Sequence, residues 1–175
     1  RYILQLPDGR MVFTTNGNIN LYDGIHFSYL HRTDKNVYPL KQYDGFYRIY
    51  QSGDSLLWVK DYHKLMGINL YKEEYIRDLE SYFQNKNIPE QIENLFADCA
   101  GHIWILTDHK LQELQTGIHI TLSPNDTRQL QDLNTENDSL YLFYNTGEVD
   151  CYDMTSRKRL YSAAAYAETE QQYFA

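Results

Sequence analysis

The 175-residue sequence has little of what small extracellular scaffolds, membrane spans and nucleic-acid-binding proteins need. Its two cysteines, Cys99 and Cys151, lie far apart without Cys-x-x-Cys spacing. They can form at most one structural disulfide, and the sequence does not decide whether they do. The longest apolar stretches are a few residues, against the roughly 20 needed to cross a bilayer. We therefore expect a soluble segment that makes no contact with the membrane.

An excess of positive charge is also lacking. Sixteen Lys and Arg stand against 24 Asp and Glu, which gives a formal net charge of −8. Such a chain has little with which to replace the counterions of a phosphate backbone, so nucleic acid is excluded as a partner and an anionic membrane surface is disfavoured.

Motifs of catalysis and cofactor binding are absent from the sequence as well. It contains no Gly-x-Ser-x-Gly, no Gly-x-Gly-x-x-Gly, no P-loop, no His-Glu-x-x-His and no EF-hand loop. We expect no catalytic residue, no cofactor and no metal site in this segment.

Aromatic residues, in contrast, are abundant at 15%, with 17 Tyr among them, and this bias favours strands. One apolar position recurs at intervals of 46, 46 and 38 residues, and seven residues after each copy comes an aliphatic residue. We call the recurring positions the anchors: Val12, Trp58, Trp104 and Leu142. The aliphatic residues are Ile19, Leu65, Leu111 and Val149.

Each anchor lies in a short strand candidate, between turn signals and further strand candidates. The pattern predicts an all-β protein of four-stranded antiparallel meanders, forming a β-propeller or part of one with about four blades. The predicted repeats cover approximately residues 2–30, 46–77, 92–122 and 129–162 of a single propeller fragment, 1–175. A β-sandwich is the alternative, but it gives no reason for the anchor to recur.

Two connections break the meander. Ile76, Leu79 and Phe83 have helical spacing, with Asp78 as the expected N-cap, so a short helix is predicted near 78–85. It should pack over the edge of a blade. The polar stretch 31–45 is predicted to be a loop.

The turn after the anchor strand has the same place in all four repeats: Asn16-Gly17, Tyr62-His63, Asp108-His109 and Thr146-Gly147. Glycine at the second position suits a tight hairpin with positive φ. Because histidine is enriched among the non-glycine residues with positive φ, we expect His63 and His109 to be left-handed.

Three segments carry a resemblance to a known family: Leu6–Arg10, Gly53–Val59 and Phe96–Thr107. They resemble the repeats of two-component regulator propellers, as in the periplasmic sensor region of Bacteroides-type (hybrid) two-component sensor histidine kinases. The sequence departs from the family pattern at Val12 and Leu142, where the motif has Trp, and at His63 and His109, where it has Gly.

This resemblance implies a non-catalytic, extracytoplasmic sensory module, periplasmic and part of an inner-membrane protein whose kinase lies outside the segment. By analogy with the fold alone, the ligand is expected on the face of the second-to-third strand turns, at Asn16, Tyr62, His63, Asp108 and His109. An oligosaccharide or another small polar molecule would suit this polar and aromatic rim, although the same residues can be plain hairpin tips.

Two other functions stay open. The chain can be a protein-interaction or dimerisation propeller that contacts the remaining blades of its protein or a second copy, because open strand edges invite pairing. A propeller hydrolase or lyase would require a deep pocket with converging carboxylates and a bound metal.

Overall fold

The computed structural model describes residues 2–15, 18–53 and 55–164, and almost all of its regular structure is β-strand. Sheet 1 contains β1 (Ile3–Gln5), β2 (Met11–Thr15), β3 (Asn18–Tyr22) and β4 (Phe27–Leu30). Sheet 2 contains β5 (Tyr38–Pro39), β6 (Arg48–Ser52), β7 (Leu56–Asp61), β8 (Lys64–Asn69) and β9 (Glu74–Tyr75). Sheet 3 contains β10 (Asn94–Ala97), β11 (Ile103–Thr107), β12 (Lys110–Glu113) and β13 (His119–Thr121). Sheet 4 contains β14 (Leu130–Glu136), β15 (Ser139–Tyr144), β16 (Glu148–Asp153) and β17 (Lys158–Ala164).

Sheets 1, 3 and 4 are antiparallel meanders in which every strand pairs with its neighbour in the chain. The predicted all-β architecture of repeated antiparallel meanders, each in the form of a propeller blade, is therefore confirmed. The chain divides into two compact units, Arg1–Gln91 with sheets 1 and 2 and Ile92–Ala175 with sheets 3 and 4. That the whole of 1–175 forms a single propeller fragment stays a prediction.

In the first unit, one face of sheet 1 packs against one face of sheet 2. Val12 and Leu21 of sheet 1 share a buried cluster with Leu57 and Val59 of sheet 2. Arg10 joins the rims of the two sheets, because its guanidinium binds both Glu73, at 2.9 Å, and the carbonyl of Leu70, at 3.0 Å. Alternation along β7 turns Trp58 to the face of sheet 2 that points away from sheet 1.

In the second unit, Trp104 of sheet 3 packs in one cluster with Leu133, Leu140 and Leu142 of sheet 4. In each unit, the cluster thus buries one face of each of the two sheets. Such burial is the main source of stability in a layered β protein. Cys99 is exposed and Cys151 is buried, and both are free thiols.

Leu142 differs from the other anchors in the direction that it faces. Trp104 points from sheet 3 towards sheet 4, whereas Leu142 points from sheet 4 back towards sheet 3. The anchor assignment of Leu142 is therefore wrong by one residue, and Tyr141 faces as Trp104 does. The reason lies in the hairpin: Trp104 pairs with Glu113, nine residues on, but Leu142 pairs with Asp150, eight residues on.

The predicted helix is present as α1 (Leu79–Gln84), and Asp78 caps it by accepting a hydrogen bond from the Ser81 amide. Its buried Phe83 stacks on Trp58, with ring centroids 5.7 Å apart. The Trp58 ring lies over Gly67, its partner in β8, where no side chain is in the way. The helix thus covers the face of sheet 2 that carries the tryptophan.

The predicted loop 31–45 is only partly a loop. It contains a 3-10 turn (Asp34–Asn36) and the two-residue strand β5, which pairs with β8. Sheet 2 consequently has five strands rather than four. Its first predicted strand, expected from Phe46, begins only at Arg48, so Phe46 and Tyr47 precede the sheet.

Candidate functional site

The predicted ligand residues belong to three different turns. Asn16 lies outside the described residues. Tyr62 and His63 form the β7–β8 turn of the first unit, and Asp108 and His109 form the β11–β12 turn of the second unit. The structure thus brings the predicted residues together in pairs, and each pair is described within its own unit.

The left-handed conformation is found at His109, with φ of 58°, as predicted. The prediction is wrong for His63, because Tyr62, one residue earlier, takes the positive φ of 51°. The two turns have the same length but place the left-handed residue at different positions. A sequence pattern cannot separate these two forms when neither position holds glycine.

The two histidines contact neighbouring carboxylates. The Nε2 atom of His63 lies 3.7 Å from Asp44 Oδ1, and that of His109 lies 3.3 Å from Asp108 Oδ1. The carbonyl of His63 accepts a hydrogen bond from the Leu40 amide at 2.7 Å, which fixes the turn against β5. Among residues 2–15, 18–53 and 55–164, no three His, Cys, Asp or Glu side chains are grouped to hold a metal ion.

Tyr62 contacts an aromatic surface that extends beyond the predicted turn residues. Its half-exposed ring meets Phe46 edge-on, at 6.4 Å between centroids, and Phe46 is 81% exposed. Next to Phe46, the Tyr47 ring stacks on Tyr2, with centroids 5.6 Å apart and an angle of 28° between the planes. The Tyr2 hydroxyl also donates a 2.6 Å hydrogen bond to the carbonyl of Tyr47.

The rings of Tyr2, Phe46 and Tyr47 border an open cavity of about 400 Å³, which we call the aromatic groove. It is lined by Tyr2, Phe46, Tyr47, Arg48, Ile49 and Tyr50. Tyr2 precedes β1, and the carbonyl of Tyr2 accepts from the Thr14 amide near the end of β2. Because Arg48 pairs with Lys60 near the end of β7, the groove lies on the face of the second-to-third strand turns, where a site was expected.

A buried cation supports the segment that forms the groove. Lys60 is 2% exposed, and its ammonium lies 4.0 Å from the ring centroid of Tyr43 and 5.3 Å from that of Tyr50. Such cation–π contacts are strongest where water is excluded. Gly45 allows the chain to fold over the Tyr43 ring, since a Cβ there would lie 2.6 Å from the Tyr43 hydroxyl oxygen.

Burial keeps the Tyr47 phenol of the groove neutral in ordinary buffers. Burial raises the pKa of Tyr47 well above its usual range and also raises the pKa of Tyr43. Neutral hydroxyls and aromatic faces therefore dominate the groove, with Arg48 as the charged residue of its lining. This chemistry suits a neutral polar molecule with flat apolar faces.

The second unit holds a compact cluster of charges that are paired with one another. Arg128 binds Asp126 and Asp150 at 2.7 and 2.8 Å and lies 3.9 Å from the ring centroid of Tyr144. Burial alone would raise the pKa of Asp150, but the hydrogen bonds from Arg128 and Ser162 and the charges of Arg128 and Arg159 together outweigh it, and the pKa is lowered. Because the charges compensate one another, this cluster is a structural clamp rather than a binding site.

Sequence reasoning missed Tyr2, Phe46 and Tyr47 as members of a site. A signal was present in the run Tyr43 to Tyr47, which places three aromatic residues around a glycine. The second predicted repeat began at residue 46, so Phe46 was interpreted as part of a strand and not as part of a site.

No family model and no curated protein matches the chain. Solved structures do resemble it. The extracellular domain of the hybrid two-component system BT3049 from B. thetaiotaomicron is 13% identical with a TM-score of 0.54, over 95% of this chain and 24% of that one. PorZ, a surface component of the type-IX secretion system of Porphyromonas gingivalis, is 10% identical with a TM-score of 0.54, over 90% and 21%. A chain of the mitotic checkpoint complex is 11% identical with a TM-score of 0.52, over 95% and 51%.

At such low identity these similarities show the fold. In its fold, the chain therefore has the predicted resemblance to the extracellular domain of a Bacteroides two-component system. The chain spans between a fifth and about half of the length of these structures. Among the described residues, no helix is long and apolar enough to cross a membrane.

Proposed function

We propose that this chain is a non-catalytic sensory module of a two-component signal-transduction protein, and that it binds a neutral glycan in the aromatic groove. The module would lie in the periplasm as part of an inner-membrane protein. A fold shared with an extracellular domain of a hybrid two-component system supports the class of protein. The observation that carries the binding proposal is the cluster of exposed rings on the face of the strand turns.

Sugar rings present flat C–H faces that pack on aromatic side chains, and their hydroxyls pair with phenols and with arginine. The groove offers the faces of Tyr2 and Phe46, which are 44% and 81% exposed. The Tyr62 ring, 50% exposed, extends this aromatic surface through its contact with Phe46. An acidic ligand is disfavoured by the net charge of −8. His63 and Asp44 stand beside the groove as further hydrogen-bonding partners.

Calorimetry of the purified chain with a panel of neutral oligosaccharides tests this proposal. At least one oligosaccharide should bind, and Tyr62→Ala and Phe46→Ala should each weaken that binding about 10-fold, because each removes a stacking face worth roughly 1.4 kcal/mol. Tyr71→Ala is the matched control, since Tyr71 is 77% exposed but belongs neither to the groove lining nor to the ring pair of Phe46 and Tyr62.

The proposal fails if no neutral oligosaccharide binds, or if the groove variants bind as tightly as the Tyr71→Ala control. Thermal unfolding of each variant without ligand separates lost binding from lost folding.

For signalling, the ligand must bind one state of the sensor more tightly than the other, since equal affinity would shift no equilibrium. His109 and Asp108 belong to the second unit and stay candidates for a contact of their own.

A further inference from the structure

The hydroxyl of Tyr43 contacts two residues of the aromatic groove, although Tyr43 does not belong to the groove lining. It donates a hydrogen bond to the carbonyl of Phe46 and accepts one from the guanidinium of Arg48. Phe46 provides the most exposed ring of the lining, and Arg48 is its charged residue. One hydroxyl thus holds the two residues through which the groove offers a stacking face and a charge.

Tyr43 is itself held in place by a cation and by a close stretch of backbone. Its side chain is buried, and the Lys60 ammonium lies 4.0 Å from its ring centroid. Gly45 lies against the hydroxyl, since a Cβ at this position would come within 2.6 Å of the hydroxyl oxygen. The hydroxyl therefore has a fixed position before any ligand arrives.

The loop of residues 43–47 is also joined to the β7–β8 turn. The Tyr62 amide donates a 3.0 Å hydrogen bond to the carbonyl of Gly45, and the Tyr62 ring meets Phe46 edge-on. The contacts of the Tyr43 hydroxyl therefore fix a loop that carries one ring of the proposed stacking surface and contacts the other.

We propose that Tyr43 is a positioning residue of the aromatic groove, whose hydroxyl holds Phe46 and Arg48 in the arrangement that the glycan binds without touching the glycan itself. Fixing a side chain on binding costs free energy, and a groove that is ordered in advance avoids part of that cost. The inference rests on the proposed glycan binding, because affinity is the property that Tyr43 is expected to set. The order of the loop can nevertheless be measured without a ligand.

Hydrogen exchange of single amides, followed by NMR in the chain without ligand, tests the order of the loop. Tyr43→Phe keeps the buried ring and removes only the hydroxyl. The Tyr62 amide should then exchange at least about 5-fold faster, because its acceptor, the Gly45 carbonyl, lies in the loop that the hydroxyl holds. The Leu70 amide donates to the Ser55 carbonyl at the opposite end of the same hairpin and should exchange at an unchanged rate.

Calorimetry with the panel of neutral oligosaccharides measures the effect on binding. Tyr43→Phe should bind about 5-fold more weakly than the unmodified chain, because Phe46 and Arg48 must be ordered by the ligand instead. Tyr22→Phe is the matched control and should bind normally, since the Tyr22 hydroxyl also donates to a backbone carbonyl, that of Gly24, but does not contact the groove lining.

A double-mutant cycle separates positioning from a general structural role. In a Phe46→Ala background, Tyr43→Phe should weaken binding by no more than about 2-fold, because the ring that the hydroxyl positions is gone. A residue that acts only through the stability of the fold would weaken binding by the same factor in both backgrounds.

An unchanged exchange rate of the Tyr62 amide in Tyr43→Phe overturns the proposal, as does an unchanged affinity or an equal loss of affinity in the two backgrounds. If no oligosaccharide binds any form of the chain, the proposed glycan function fails, and the exchange rate alone then decides whether Tyr43 orders the groove. Circular dichroism confirms that each variant is folded. Gly45→Ala, which displaces the hydroxyl from the other side, should have the same effects and replaces Tyr43→Phe if that variant does not fold.

Discussion

At the residue scale, the two tryptophans have matching places but different partners. Trp58 in β7 and Trp104 in β11 are both almost fully buried. The Trp104 Nε1 atom donates to Asp98 at 3.3 Å, whereas Trp58 Nε1 is buried and has no hydrogen-bond partner in the described structure. Asp98 also accepts from the Thr135 hydroxyl at 2.7 Å, which joins sheet 3 to sheet 4.

This difference predicts unequal effects of the same substitution. Trp104→Phe should lower the free energy of unfolding by about 1–2 kcal/mol more than Trp58→Phe, because it removes a donor from a buried carboxylate. Urea unfolding of both variants measures the difference. Equal losses, or a larger loss for Trp58→Phe, would contradict the assigned role of Asp98.

At the element scale, the helix α1 and the hairpin of sheet 2 fit together at a glycine. A Cβ on Gly67 would lie 2.8 Å from Ile76 Cδ1, 3.1 Å from Trp58 Cζ3 and 3.2 Å from Leu79 Cδ2. The absence of a side chain there is therefore what allows the tryptophan and the helix to lie against β8.

Gly67→Ala should consequently reduce the free energy of unfolding by about 1–3 kcal/mol through overpacking. Adding Ile76→Val removes the closest atom and should restore part of the loss. A double-mutant cycle by urea unfolding measures the coupling, and strict additivity of the two substitutions would argue against this contact.

The elements also show how far sequence patterns reach. The long strands and α1 were predictable, because their apolar spacing follows directly from burial on one face. The strand β5 was not, since two residues that include a proline carry no periodic signal. The direction of the Leu142 side chain was not predicted, because Leu142 pairs with a residue eight positions later, whereas Trp104 pairs with one nine positions later. A fixed seven-residue spacing does not show which of the two strands contains this difference.

At the scale of the whole molecule, the repeated sheets provide stability, and the proposed binding site lies on the face of the strand turns. The order of the strands predicted which face carries the second-to-third strand turns, and that a ligand binds there stays a prediction. It did not predict the aromatic groove, because Tyr2 and Tyr47 are separated by 45 residues and meet only when sheet 1 packs on sheet 2. Tyr62 and His63 were among the predicted ligand residues; neither lines the groove, but the Tyr62 ring contacts Phe46 of its lining.

The central claim is that the aromatic groove binds the ligand to which a two-component sensor responds. The most direct measurement is the signalling output of the full-length protein in response to the oligosaccharide that binds the isolated chain, compared between Tyr62→Ala and the control Tyr71→Ala. The account predicts that Tyr62→Ala shifts the response to about 10-fold higher ligand concentration, while Tyr71→Ala responds normally. An unchanged response of Tyr62→Ala would contradict it.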